Sequence, residues 1–157
     1  MEGNVISVER VIATPASDLF RIVADANRHP EIDGSGSVVK TKPGTPQALT
    51  LGSTFGMSMK MGVPYSMSNT VIEFDQDCRI AWKTVFSGFL GRVVGGRIWR
   101  YEFEPVEDGT LVRESWDISQ DRQASLLKLG KMPSSTADAM TKTLANLAKV
   151  AKTPPGG

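Results

Sequence analysis

Residues 133–152 have the sequence PSSTADAMTKTLANLAKVAK, and this stretch predicts the long helix on which the fold depends. Its apolar residues recur at steps of three and four, which places them along one side of a helix. They are Ala137, Met140, Leu144, Leu147 and Ala151, and the opposite side carries Asp138, Lys142, Asn146 and Lys149. Pro133 and a Ser134 or Ser135 cap are expected to begin the helix. A helix with one apolar stripe has to lie on another apolar surface.

The segments before this helix predict a sheet. Residues 5–12 are rich in β-branched side chains and predict a first strand, after which Thr14-Pro15 opens a helix. Residues 26–33 (ANRHPEID) predict a break and one more helical turn. Further strands are predicted at residues 38–42, 53–61, 65–74, 79–86, 97–105 and 110–118, and residues 120–131 predict a short helix or an ordered loop. Because the connections between these strands are short, neighbouring strands should be antiparallel.

These elements predict an α+β fold. An antiparallel sheet of about six or seven strands is long enough to curl, and its apolar face needs a cover. We therefore expect a strongly curved antiparallel sheet wrapped around the long C-terminal helix, with one or two short helices after the first strand. We also expect a single domain over residues 1–152 and a disordered tail over residues 153–157, which read TPPGG.

Composition argues against several classes of function. Eighteen basic and seventeen acidic residues give a net charge of +1, so no strong field attracts nucleic acid or anionic lipid. A single cysteine, Cys78, fits a reducing compartment, and no apolar stretch approaches the roughly 18 residues of a membrane span. We expect a cytoplasmic protein without a membrane span. We expect neither a metal nor another cofactor, because one histidine and one cysteine cannot supply a usual metal-ligand set.

Several short segments carry a family resemblance through their order and spacing. They lie at residues 14–20, 27–31 (NRHPE), 72–74 (IEF), 79–84 (RIAWKT), 99–105 (WRYEFEP) and 108–112 (DGTLV). Over residues 5–150 the chain resembles the START-like, helix-grip superfamily (SRPBCC), and within it the bacterial polyketide cyclase/dehydrase and lipid-transport proteins. The resemblance implies a deep apolar cavity between sheet and helix that binds lipids, steroids or polyketides, and some relatives are enzymes. In many relatives a tryptophan follows the His-Pro-Glu type segment, whereas this chain has Ile32-Asp33 there.

Three candidate polar groups depend on which way their side chains face. Tyr101 shares one face of its strand with Trp99 and Phe103, and alternation places Glu114 on the matching face of the next strand. Glu114 then either points inward and needs a partner, or lies solvated at an open sheet edge. His29 is either an acid/base group at a pocket mouth or a surface residue in a turn.

The favoured hypothesis is binding or transport of a hydrophobic small molecule in a cavity between the sheet and the final helix. Its predicted lining is Phe55, Met57, Met59, Trp82, Trp99, Tyr101, Trp116, Met140 and Leu144. A second hypothesis is a polyketide cyclase/dehydratase that uses His29 or Glu114 as acid/base and Tyr101 as donor, so whether the protein is an enzyme stays open. A third is a protein interaction module that binds a partner through the sheet edge or through the hairpin at residues 87–96, whose apolar side chains are Phe89, Leu90, Val93 and Val94. The oligomeric state stays open between monomer and homodimer.

Overall fold

A computed structural model describes residues 1, 3–42, 48–61 and 63–152, and within them the chain forms a seven-stranded antiparallel sheet and a long helix. The strands are β1 (Val5–Ile12), β2 (Val38–Thr41), β3 (Thr54–Met61), β4 (Val63–Asp75), β5 (Arg79–Phe86), β6 (Gly95–Val106) and β7 (Gly109–Asp117). The α-helices are α1 (Ala16–Val23), α2 (His29–Ile32), α3 (Ala124–Leu127) and α4 (Met132–Ala151). Two 3₁₀ turns lie at Ala26–Arg28 and Gly88–Arg92. The predicted α+β fold is confirmed, and the expected tail at 153–157 lies outside the described residues.

The sheet has the strand order β1-β7-β6-β5-β4-β3-β2, and every neighbouring pair is antiparallel. Its pairing shifts register between Val71 and Glu73 and between Thr84 and Val85, and such bulges bend a strand and increase its twist. The sheet can therefore curve around the helix. Strand β7 lies between β1 and β6, so residues on β7 are not at an edge of the sheet.

The predicted apolar stripe of α4 is confirmed at its centre and changed at its margins. Met140, Leu144 and Leu147 are buried, whereas Ala137 and Ala151 are only half-buried. Thr136, Thr143 and Ala148 complete the buried face. The face is wider on the threonine side because α4 packs against α2 as well as against β1.

Two expectations for α4 were wrong. Asn146, assigned to the water-facing side, is half-buried and donates from Nδ2 to the Ile32 carbonyl oxygen at 3.2 Å. The helix also begins at Met132, so the N-cap position falls on Lys131 and no side chain caps it. Ser134 Oγ instead donates to the Lys131 carbonyl oxygen at 3.1 Å.

The core consists of two groups of buried side chains under α4. The larger includes Phe20, Phe103 and Leu147, and it joins α1 to the sheet and to the second half of α4. The smaller consists of Trp116, Ile118 and Met140, with Leu127 of α3 packed against it. Side chains from both groups border the cavity described next, since Phe55 belongs to the first group and Met140 to the second.

Candidate functional site

A cavity of about 160 Å³ lies between the sheet, α2 and the first half of α4, and it is partly open to solvent. Its walls are mainly apolar, with Phe55, Met57 and Met59 on β3 and Trp82 on β5. A second recess of about 210 Å³ lies around Cys78, Arg79, Glu102, Phe103, Glu104, Leu111 and Arg113. Since small-molecule sites are usually apolar hollows with a few placed polar groups, the first cavity is the candidate site.

Seven of the nine predicted lining residues border this cavity: Phe55, Met57, Met59, Trp82, Trp99, Tyr101 and Met140. Trp116 and Leu144 do not line it. Trp116 is buried in the smaller core group beside Ile118, and Leu144 is one helical turn beyond Met140, where it packs into the larger core group. Both were expected to face the cavity because alternation and helical periodicity identify a buried face without locating the hollow along it.

Glu114 and Tyr101 form a buried hydrogen-bonded pair in the cavity wall. The Tyr101 hydroxyl donates to Glu114 Oε1 at 2.8 Å, and the two residues face each other across β6 and β7. Glu114 is only 3% exposed, which confirms that it points inward and rules out the solvated position at a sheet edge. Among the described residues, Glu114 Oε2 is buried without a hydrogen-bond partner.

Burial is the main cause of the pKa shifts of this pair. Removing the Glu114 carboxyl from water disfavours its charged form and raises its pKa to about 8, although the hydrogen bond from Tyr101 opposes the rise. Burial and the neighbouring Glu114 together raise the pKa of Tyr101 well above its usual value. At neutral pH the pair is therefore mostly uncharged.

His29 is buried in the cavity wall, so the expectation of a surface turn residue was wrong. Its ring stacks on Trp82 with centroids 4.9 Å apart and meets Phe55 edge-on. Nε2 lies 2.7 Å from the Val23 carbonyl oxygen, which can only accept, so Nε2 carries the proton. Burial lowers the pKa of His29, which favours the neutral ring with Nδ1 unprotonated.

Asn69 and Thr84 are polar lining residues that the sequence analysis missed. Thr84 Oγ1 donates to Asn69 Oδ1 at 2.6 Å, and Asn69 Nδ2 donates to the Phe55 carbonyl oxygen at 3.3 Å. A usable signal existed, because Asn69 alternates with the buried residues Met67 and Val71 on β4. A polar residue in that series belongs to the inward face.

Beside the cavity, α4 is in direct contact with the loop after α2. The backbone N–H of Gly34 donates to Thr143 Oγ1 at 2.9 Å. A Cβ atom at Gly34 would fall on the Ala139 carbonyl oxygen and 2.6 Å from Lys142 Cβ, so only glycine allows this approach. Nothing in the sequence pattern indicated this contact, because it joins residues about a hundred positions apart.

The family model described as polyketide cyclase / dehydrase and lipid transport matches residues 5–152. The chain belongs to this family. The Mycobacterium tuberculosis protein Rv0088 is 36% identical over 108 residues, which are 68% of this chain and 44% of that protein. The chain thus spans less than half the length of the curated relatives it matches.

Solved structures share the fold at low sequence identity. Protein CV1439 from Chromobacterium violaceum has a TM-score of 0.73 and 15% identity, covering 96% of this chain and 99% of that one. The major latex-like protein 151 from Panax ginseng has a TM-score of 0.67 and 16% identity, covering 95% and 97%. At these identities the likeness establishes the fold of the family and nothing about its ligands.

The predicted hairpin between β5 and β6 holds a 3₁₀ turn, and its apolar side chains lie outside the cavity lining. Phe89 is 75% exposed, and Leu90 and Val93 are also exposed, whereas Val94 is half-buried. Gln123 fastens the hairpin to the segment before α3: its Nε2 donates to the Val93 carbonyl oxygen and its Oε1 accepts from Gly95 N–H.

Among the described residues, no group of three or more His, Cys, Asp or Glu side chains is placed to hold a metal ion. Within the same residues, no helix is both long enough and apolar enough to cross a membrane.

Proposed function

We propose that the protein binds a hydrophobic small molecule in the cavity between the sheet and α4. The observation that carries this proposal is an apolar hollow whose few polar groups are buried and face it, chiefly Glu114, Tyr101 and His29. This combination of apolar walls and sparse, fixed polar groups is typical of small-molecule sites. Membership of a family described by polyketide cyclisation and lipid transport supports it.

The cavity volume limits the part of a ligand that can be enclosed. A dry cavity of about 150 Å³ in another protein holds one benzene molecule, whereas sites for drug-sized ligands measure about 300–1,000 Å³. The cavity here, at about 160 Å³, therefore encloses one ring or a short chain. A longer lipid or polyketide would have to extend through the opening or move flexible side chains such as Met57 and Met59.

The expected affinity for a one-ring compound follows from its buried area. An aromatic ring buries about 150–200 Å², which at about 25 cal/mol per Å² contributes roughly 4–5 kcal/mol before ordering costs. Without those costs, this corresponds to a dissociation constant of roughly 0.2–1 mM, and the ordering costs weaken the binding further. Tighter binding requires either more apolar contact or a hydrogen bond inside the cavity.

Native mass spectrometry of the protein purified from its source, followed by solvent extraction, tests the proposal. Ala139 lines the cavity and Ala145 does not, although both are half-buried on α4. Ala139→Met should therefore lower the bound fraction, and the matched control Ala145→Met should keep it. An unliganded wild type that also fails to take up any one-ring probe would contradict the proposal.

A second candidate function is acid–base catalysis of cyclisation or dehydration. It is favoured by two groups in one cavity whose pKa values shift in opposite directions: the pKa of Glu114 is raised and that of His29 is lowered. At neutral pH one would then be a protonated acid and the other a free base, as proton transfer requires. If this holds, His29→Ala and Glu114→Gln should abolish turnover of a polyketide substrate while ligand affinity stays largely intact. A variant pair with normal turnover would exclude it.

A further inference from the structure

We infer that Glu114 is a neutral hydrogen-bond donor to the ligand, so that the cavity selects uncharged molecules with a carbonyl or similar acceptor oxygen. This inference rests on the proposed binding function and names the class of ligand it serves. It also specifies the size, since the enclosed volume of about 160 Å³ holds about one ring.

The two oxygens of the Glu114 carboxyl differ in their hydrogen bonding. Oε1 already accepts from the Tyr101 hydroxyl at 2.8 Å, and Oε2 is the buried side-chain oxygen that has no partner in the described part of the chain. Leaving a buried polar atom unpaired costs about 1–3 kcal/mol. A ligand that supplies the missing partner removes this cost, and Glu114 borders the cavity where such a ligand would lie.

The described lining of the cavity contains two acidic residues, Asp33 and Glu114, and no lysine or arginine. Asp33 is occupied by its own loop, because its carboxylate accepts from Ser35 Oγ and from the Val38 N–H. Arg100 is on the other face of the sheet, where it binds Glu73 at 2.6 Å.

A buried carboxyl with no cation beside it keeps its proton, which agrees with its pKa of about 8. Since Oε1 receives the tyrosine hydroxyl hydrogen, the acid proton resides on Oε2. Oε2–H then donates, and its partner has to be an acceptor. An anionic ligand would meet two acids without a counter-charge, and a cationic ligand would require Glu114 to ionise.

Four one-ring probes of similar size test this class assignment. Acetophenone carries a carbonyl oxygen, and α-methylstyrene has the same shape with CH₂ in its place. 1-Phenylethylamine supplies an ammonium group and benzoate an anion. Binding is followed by two-dimensional ¹⁵N–¹H NMR shifts at about pH 7 and at about pH 9.5, which lie on either side of the Glu114 pKa. The other titratable groups in the described lining are His29, Asp33 and Tyr101.

At about pH 7 acetophenone should bind roughly 2–12-fold more tightly than α-methylstyrene, since one added hydrogen bond has a net value of about 0.5–1.5 kcal/mol. At about pH 9.5 the ionised carboxylate repels the carbonyl oxygen, so this preference should disappear. The groups beside Glu114 do not mimic this change, because burial lowers the pKa of His29 and raises that of Tyr101.

Two variants separate the donor from the space it occupies. Glu114→Gln keeps an N–H donor that does not titrate, so the carbonyl preference should persist at both pH values. Glu114→Met has a similar length and no donor, so the preference should be lost at both. Should the methionine variant fail to fold, the comparison of wild type with Glu114→Gln at about pH 9.5 still decides.

The outcomes distinguish this inference from the proposed function. Tighter binding of 1-phenylethylamine or benzoate than of acetophenone at about pH 7 would overturn the neutral donor, as would a carbonyl preference that survives in Glu114→Met. Equal binding of acetophenone and α-methylstyrene would overturn the inference alone. Absence of any binding, including that of α-methylstyrene, would overturn the proposed cavity function itself.

Discussion

Replacing Glu114 by glutamine should stabilise the protein at alkaline pH and have little pH-dependent effect at acid pH. In the folded protein the Glu114 carboxyl has a pKa of about 8, against 4.5 for an exposed glutamate. When the pH lies between these two pKa values, Glu114 in the folded state holds a proton that it has released in the unfolded state. Raising the pH therefore favours unfolding throughout this interval, and the loss is complete once the folded carboxyl has ionised.

The size of the effect follows from the width of the interval. Each pH unit changes the free energy of unfolding by about 1.4 kcal/mol, and the interval from 4.5 to about 8 spans about 3.5 units. The loss in the wild type is thus on the order of 5 kcal/mol. This is an upper bound, because the cavity is partly open and water can solvate the charge. Even half of it would be a large part of a typical total stability of about 5–15 kcal/mol.

Urea unfolding of the wild type and of Glu114→Gln, followed by circular dichroism from about pH 4 to about pH 9.5, measures the difference directly. Glutamine keeps the length of the side chain and can still accept from the Tyr101 hydroxyl, so the two proteins differ mainly in this titration. The difference should be nearly constant below about pH 4.5, grow through neutral pH, and level off above about pH 8. A difference that stays constant with pH would refute the reasoning, since it would mean that the native carboxyl is as well solvated as the unfolded one.

Three further predictions concern the walls of the cavity and the hairpin. Gly34→Ala should lower the free energy of unfolding by about 1–3 kcal/mol, measured by urea unfolding, because its Cβ would collide with α4 at the Ala139 carbonyl. Burial lowers the pKa of His29, so the neutral ring contributes to the free energy of unfolding above about pH 6.5, and this contribution is lost as the pH falls. Glutamine does not titrate, so the same urea series on His29→Gln should show no such loss. The double variant Phe89→Ser/Leu90→Ser should change the free energy of unfolding by less than about 0.5 kcal/mol because both side chains are exposed. Light scattering on the wild type and on this double variant then tests the hairpin as an interface. A mass that is larger only in the wild type would establish self-association through the hairpin.

The elements and their faces were predictable from the sequence because periodicity is a local property. The centre of the α4 stripe, the seven strands and the shared face of Tyr101 and Glu114 all follow from steps of two, three or four residues. The same local pattern explains why most of the predicted lining borders the cavity. Alternation fails where a bulge interrupts it, as at Ile72. Beyond this bulge Phe74 packs in the core against Phe20, while Glu73 binds Arg100 on the outer face.

Which residues form the site depends on contacts between residues far apart in the chain. Only the tertiary structure decided those contacts. The ring of His29 is buried against Trp82 and Phe55, and the loop after α2 meets α4 where Gly34 contacts Thr143. Likewise, the lack of a hydrogen-bond partner for Glu114 Oε2 among the described residues is seen only in the tertiary structure. The physical reason is that a side chain's face is set by its own backbone, whereas its neighbours, its solvation and its pKa are set by surfaces that meet only when the sheet closes around the helix.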